Sequence, residues 1–212
     1  MKQIVFYGDS NTWGYNAENG GRFSLEERFT GILTTRMTDC HICEEGLCGR
    51  TAVAEDDLAE MRSGQRYLAA ILNTHDPIDL LVLMLGTNDT KPKFALRPAE
   101  IAYGVEELLR IVRSPLVWHG AKSPEVLLIS PIEVGEQVCG TAMGGEFDLT
   151  AVERSRALAA ELVPVAERYG CHFLDAAQVA RPCALDAVHL DREGHRRMAD
   201  ALEPMIRAIL AK

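Results

Sequence analysis

An α/β architecture, a three-layer α/β/α sandwich around a five-stranded parallel sheet in the order 2-1-3-4-5, follows from three features of the 212-residue sequence. Short apolar runs alternate with longer segments of helical spacing along the whole chain. That is the pattern of repeated βαβ units joined by right-handed crossovers. One run, Leu80-Leu81-Val82-Leu83-Met84-Leu85, is apolar without interruption, which suits a central parallel strand covered on both faces. Two runs end in glycine turns that carry polar side chains, Gly8-Asp9-Ser10-Asn11 and Gly86-Thr87-Asn88-Asp89. In the flavodoxin-like order these turns meet at the switch point between strands one and three, where open α/β sheets bind ligands.

The elements are expected as follows. Strand one covers residues 3–7, and a loop over 11–23 carries Trp13, Tyr15 and a Gly20-Gly21 pair. Ser24 followed by Glu27 is a capping box, so the first helix is expected to begin at Ser24, with Leu25, Phe29, Ile32, Leu33 and Met37 on its apolar face. Strand two spans 41–45, and a helix over 63–73 stops near Asp76-Pro77. Strand three spans 80–85; Pro98 opens a helix over 99–112; strand four is 126–130. The glycine-rich loop 131–149 is long for a compact domain and partly apolar, with Val134, Val138, Met143 and Phe147. It is read as a wall of the substrate site or an oligomer contact. Thr150 and Glu153 form a second capping box for a helix to Tyr169, in which Pro164 is expected to place a kink. Strand five is 171–174, a loop over 176–190 carries Asp186 and His189, and a last helix runs over 191–210 past Pro204. The whole, residues 1–212, is expected to be one domain.

Composition narrows the function. Hydrophobic residues at 47% and charged residues at 25% describe an ordinary globular protein. A formal net charge of −9 argues against a nucleic-acid or anionic-membrane surface. No apolar run is long enough to cross a bilayer, and Met1-Lys2-Gln3 leads directly into the first strand without a signal-peptide pattern, so the expected location is the cytoplasm. Six cysteines are spread over the chain and are read as reduced, buried thiols. Cys40 and Cys43 have CxxC spacing but no second pair for a zinc site. They also fall in a strand, which would point them to opposite faces.

Ser10 follows strand one and is the candidate nucleophile. Asp186 and His189 lie three residues apart. A short turn can set the carboxylate on one imidazole nitrogen and leave the other to take a proton from a serine. His195 falls inside the last helix and is read as a surface residue. Asn88, after strand three, can donate its NH₂ to a developing oxyanion or simply shape a turn. Asp89 is read as a helix or turn cap. Gly46 and Gly49 are ordinary loop glycines or backbone oxyanion donors. The Gly-x-Ser-x-Gly elbow of α/β-hydrolases is missing, because Thr12 stands at the second glycine's place.

Four blocks resemble the SGNH (GDSL-like) hydrolases: Gly8-Asp9-Ser10-Asn11, Glu44-Glu45-Gly46-Leu47-Cys48-Gly49-Arg50-Thr51, Gly86-Thr87-Asn88-Asp89, and Asp186-Ala187-Val188-His189. The order is right, and the resemblance runs from Gly8 to His195. Two positions depart from the pattern: Asn11 where leucine is usual, and Glu44 where the second block has asparagine. The resemblance implies Ser10 as nucleophile, Asp186 and His189 as its partners, and an oxyanion hole from the N–H groups of Ser10 and Gly49 and the side chain of Asn88. Residues 8–15, 44–47 and 84–91 look most like the bacterial arylesterase/acyltransferase branch. That implies a small acyl-ester substrate and water or an alcohol as acyl acceptor. No metal or cofactor is expected, because the sequence offers no metal site of credible spacing. Trp13 and Tyr15 are candidate lining residues, with core packing an equal reading for Trp13. The rival readings are a metal-dependent phosphoesterase built from Asp9, Asn88, Asp89 and His189, and a non-catalytic carbohydrate- or partner-binding module on the same fold.

Overall fold

The computed structural model describes residues 1–118, 120 and 122–211. Five strands form one sheet, β1 (Lys2–Gly8), β2 (Cys40–Gly46), β3 (Leu80–Met84), β4 (Glu125–Ser130) and β5 (His172–Asp175). Their order is β2-β1-β3-β4-β5, and every neighbouring pair is parallel. The alternation of side chains along each strand divides the core in two. On one face Val5, Tyr7, Leu81, Leu83, Val126 and Leu128 pack under α3 (Gly64–His75), α4 (Pro98–Arg113) and α5 (Leu149–Tyr169). On the other, Ile4, Phe6, Leu80, Val82, Leu127 and Ile129 pack under α2 (Phe29–Arg36) and α6 (Arg192–Leu210). A one-turn helix, α1 (Ser10–Trp13), follows β1 directly. Cys40 and Cys43 do go to opposite faces, one into each core. All six thiols are free, but Cys139 is exposed and Cys48 and Cys171 are only partly covered, so burial holds for three of them.

Two helix starts differ from the sequence reading. α2 begins at Phe29, five residues past the expected start at Ser24, and Leu25 is 41% exposed instead of facing the core. Half of the Ser24 capping box forms, since Ser24 N donates to Glu27 Oε2 at 3.1 Å. Arg28, however, is extended at φ −79°, ψ 143°. That conformation carries its guanidinium onto Glu44, with bonds of 2.8 and 2.7 Å. α5 begins at Leu149, and its cap is Asp148 rather than Thr150: the carboxylate accepts from Thr150 N and Ala151 N at 2.9 and 3.2 Å. A charged acceptor beside the positive end of a helix outcompetes a hydroxyl two residues further in. α5 and α6 run through Pro164 and Pro204.

The loop 131–149 is more structured than its composition suggests. It contains two 3₁₀ turns, Glu136–Gly140 and Ala142–Gly145. Val134, Val138 and Phe147 form a small core of their own with Ala151, Val152, Ala187 and Val188. Among the described residues no helix is long and apolar enough to cross a membrane.

Candidate active site

Parallel pairing brings the carboxyl ends of β1, β2 and β3 to one edge, with Gly8 level with Gly46 and with Met84. The three turns that leave these strands therefore converge. Gly8 and Gly46 are needed there: a Cβ on Gly8 would stand 2.8 Å from Met84 O, and one on Gly46 would stand 2.3 Å from Trp13 N.

Ser10 is buried and opens α1, whose first N–H groups have no intrahelical acceptor. Its Oγ lies 2.8 Å from His189 Nε2, and His189 Nδ1 lies 2.6 Å from Asp186 Oδ2. The other carboxylate oxygen of Asp186 accepts from Val188 N and His189 N, both at 2.9 Å, and from Cys183 Sγ at 3.2 Å. Ala187 makes this wrap possible by adopting φ +65°, a left-handed conformation costing an L-residue roughly 1–2 kcal/mol. Burial pushes the Asp186 carboxyl up, but hydrogen bonding to and the charge of His189, with the two backbone donors, outweigh it and bring it down to about 2. The ionised carboxylate can therefore hold the imidazole in one orientation, with Nε2 facing the serine oxygen.

The donors sit on the facing wall. Gly49 has φ +81°, a conformation that favours glycine. Among the described residues its N–H has no protein acceptor. Asn88 lies at the end of β3 and donates Nδ2 to Arg50 O at 3.1 Å, which commits one N–H and leaves the other. Ser10, Gly49, Asn88 and His189 line one cavity of about 520 Å³, together with Tyr15, Met143, Glu146, Phe147 and Val188. The Tyr15 and His189 rings are 4.3 Å apart. Trp13 does not line this cavity. It is half-buried, with the Arg22 guanidinium 5.4 Å from its ring centroid. Of the two candidate lining residues, Tyr15 is on the cavity wall and Trp13 is off it. The long loop does supply a wall, through Met143, Glu146 and Phe147.

Four side chains shape the site in ways the sequence did not disclose. Asp89 caps no helix: both its oxygens accept from Ala52 N, at 3.0 and 2.9 Å, and so pin the Gly49 loop to the end of β3. Desolvation by complete burial raises its carboxyl to about 7. Arg50 ties the same loop to the ends of β1 and β2 by donating to Gly8 O at 2.8 Å and to Glu45 O. Asn11 brackets the histidine: its Oδ1 accepts from Leu190 N at 2.9 Å and its Nδ2 donates to Val188 O at 3.3 Å. A polar residue where leucine is usual was the available signal. His195 is not on the surface but fully buried between Phe23 and Phe29, with ring centroids 5.1 and 5.8 Å away. Its Nδ1 accepts from Phe29 N at 3.3 Å. Helix α6 turns this position inward, on the same face as Met198 and Leu202.

Glu44 also finds its partners, accepting from Arg28 and, at 2.9 Å, from Arg22. It therefore clamps the 11–28 segment to β2. The carboxylates of the metal reading are engaged elsewhere, Asp9 with Asn11 N at 2.9 Å and Asp89 with Ala52 N. Among the described residues no three His, Cys, Asp or Glu side chains are grouped to hold a metal ion.

Comparison with known proteins gives the family. No curated protein matches the chain. Among solved structures, a carbohydrate acetylesterase family member from Sinorhizobium meliloti is 38% identical, with a TM-score of 0.92 and coverage of 100% of both chains. The aryl esterase of M. smegmatis is 31% identical, with a TM-score of 0.92 over 99% of this chain and 100% of that one. A further carbohydrate acetylesterase from Sinorhizobium meliloti is 30% identical, with a TM-score of 0.89 over 99% and 100%. The family model of the GDSL-like lipases and acylhydrolases matches residues 6–197, from the first strand into the last helix. The chain belongs to that GDSL-like lipase/acylhydrolase family, the SGNH hydrolases, and resembles their arylesterase branch.

Proposed function

We propose that this protein is a serine esterase that cleaves small carboxylic esters through an acyl-enzyme on Ser10. The observation that carries the reading is the unbroken chain Asp186–His189–Ser10, with links of 2.6 and 2.8 Å, opening onto the same cavity as Gly49 and Asn88. In the first step Ser10 Oγ attacks the ester carbonyl carbon while His189 Nε2 takes the hydroxyl proton. The carbonyl π electrons move to oxygen, and that oxyanion is held by the N–H groups of Ser10 and Gly49 and by Asn88 Nδ2. As the intermediate collapses, the bond to the alcohol oxygen breaks and His189 returns the proton to it. Water then attacks the acyl-enzyme by the reverse sequence and frees Ser10. An alcohol in place of water would give acyl transfer. Asp186 stays ionised throughout and stabilises the imidazolium.

The cavity of about 520 Å³ suits short acyl groups and compact alcohols or sugars better than long lipid chains. The similar structures include a carbohydrate acetylesterase family member and an aryl esterase, which makes acetyl and aryl esters the first substrates to try. Ser10→Ala is expected to fold normally and lose about 10⁴-fold or more in kcat. An organophosphonate should label Ser10 alone, as read by peptide mass mapping. A label on Ser63 or Ser130, or none on folded protein, would remove the nucleophile from this reading.

A further inference from the structure

The cavity wall around the proposed oxyanion hole is cationic, in a chain whose formal net charge is −9. Arg62, Lys91 and Lys93 line it, along with the carboxylates Asp56 and Glu146. Two of the cations are matched. Lys93 Nζ lies 2.5 Å from Asp56 Oδ2, and Lys91 Nζ pairs with Glu146. Arg62 is not matched: among the described residues it has no carboxylate partner, and the one hydrogen bond of its side chain runs from Nη1 to Glu60 O at 3.1 Å. The rest of its planar fork of donors is unused.

Its position matters as much as its charge. Arg62 lies against Gly49, with Nε 3.1 Å and Cδ 3.2 Å from where a Cβ on that glycine would stand. Lys91 is one short turn past Asn88, since Lys91 N donates to Asn88 O at 3.2 Å. Gly49 therefore has a guanidinium against it, and Asn88 shares the cavity with a lysine three residues further on. Lys91 itself is buried, whereas its partner Glu146 has a side chain 55% exposed. An exposed carboxylate is weakly held and readily displaced. A guanidinium with a free fork matches a carboxylate bidentately, and a partly enclosed site strengthens that pairing.

We infer that the cavity takes esters carrying a carboxylate, bound by Arg62 with Lys91 adding to the field. This rests on the esterase reading above and names its substrate class: a monoanionic ester, with the charge on either the acyl or the alcohol half. Two substrate pairs separate the halves. 4-Nitrophenyl hydrogen glutarate against 4-nitrophenyl pentanoate probes the acyl side; 4-acetoxybenzoate against phenyl acetate probes the alcohol side. In one pair the anionic-to-neutral ratio of kcat/KM should fall about 10–100-fold in Arg62→Gln, the range expected for losing a charge-assisted bond. The ratio should fall less in Arg62→Lys and further in Arg62→Glu. A ratio unchanged by Arg62→Gln in both pairs overturns the inference. A second measurement needs no turnover: on the Ser10→Ala background, calorimetry should show glutarate binding that Arg62→Gln abolishes and that the neutral pentanamide does not reproduce. Hydrolysis of the neutral esters with no dependence on Arg62 in either measurement would sink the subsite and leave the esterase reading standing. Arg62-dependent glutarate binding without any ester hydrolysis would do the reverse.

Discussion

Asn88 and Asn11 illustrate how much one amide can decide. Asn88 is already bonded to Arg50 O at 3.1 Å, so its remaining N–H is aimed without freedom to rotate away. Under the proposed mechanism that bond strengthens as charge develops, and its loss should appear in kcat more than in KM. Asn88→Ala is expected to cost about 10²–10³ in kcat. Asn88→Asp should be worse despite its shape, because a carboxylate would face both the Arg50 carbonyl and the forming oxyanion. A purely turn-shaping asparagine gives the opposite order, since aspartate serves turns about as well and alanine does not. Steady-state kinetics on the two variants, with folding checked by circular dichroism, distinguishes them. Asn11 acts one step back, as a positioning residue. It holds the backbone on both sides of His189, across 177 and 179 residues of chain. Asn11→Leu would restore the residue usual in the family at this place. It would also leave Val188 O and Leu190 N unpartnered in a buried spot, at a cost of about 1–3 kcal/mol each. The expected result is a lower melting temperature with a drop in kcat larger than any change in KM. Unchanged kcat would mean that the histidine loop is held by other contacts.

At the scale of elements, the legible parts were those that repeat. The uninterrupted run at Leu80–Met84, strands alternating with helices, and glycine turns at the ends of β1 and β3 suffice to place the sheet order and the crevice. The same logic brought Ser10 and Asn88 to one edge, and the spacing of Asp186 and His189 delivered the pair. What could not be read were contacts between elements distant in sequence. α2 starts late because Arg28 is drawn to Glu44 on another element. Asp89 looked like a cap because its real partner, Ala52 N, is 37 residues away. His195 looked exposed because the apolar stripe of α6 is wide enough to take an imidazole whose acceptor is needed at the start of α2. The loop 131–149 is the same case. It is tied to the histidine turn by Gly135 N to Ala187 O at 2.7 Å and by Thr141 Oγ1 to Asp186 O at 3.0 Å. Its small core around Val138 holds that turn from outside. Val138→Ala should cost roughly 1–3 kcal/mol locally and lower kcat several-fold. If this small core opens apart from the main sheet core, the global melting temperature should move little. A loss of melting temperature without loss of kcat would show that the loop is scaffold only.

Over the whole molecule, two buried groups set opposing dependences of stability on pH. His195 is depressed to about 3, mainly by burial, from an ordinary 6.5. Its folded pKa lies below its unfolded one, so between those values the unfolded chain binds the extra proton. Its contribution is full above about 6.5 and is lost as pH falls toward 3. The chemistry is plain in the structure: protonating Nδ1 would remove the acceptor of Phe29 N. Asp89 is the mirror case, raised from 3.8 to about 7 by burial. There the folded chain binds the extra proton, so the contribution is full below about 3.8 and is lost as pH rises through 7. Between about 4 and 6.5 the two slopes nearly cancel, one proton against one. Removing either should unmask the other. Relative to the parent chain, Asp89→Asn should make unfolding free energy rise with pH across that window. His195→Gln should make it fall, each by up to about 1.4 kcal/mol per pH unit. Urea denaturation at pH 4.5, 5.5 and 6.5 on the parent and both variants reads these slopes directly. Parallel lines for all three proteins would mean that neither group changes its protonation on unfolding in this range. Parent-like slopes in the double variant, with opposite slopes in the two singles, are the result expected of two buried groups that titrate independently, one pinning the Gly49 loop and the other joining α6 to α2.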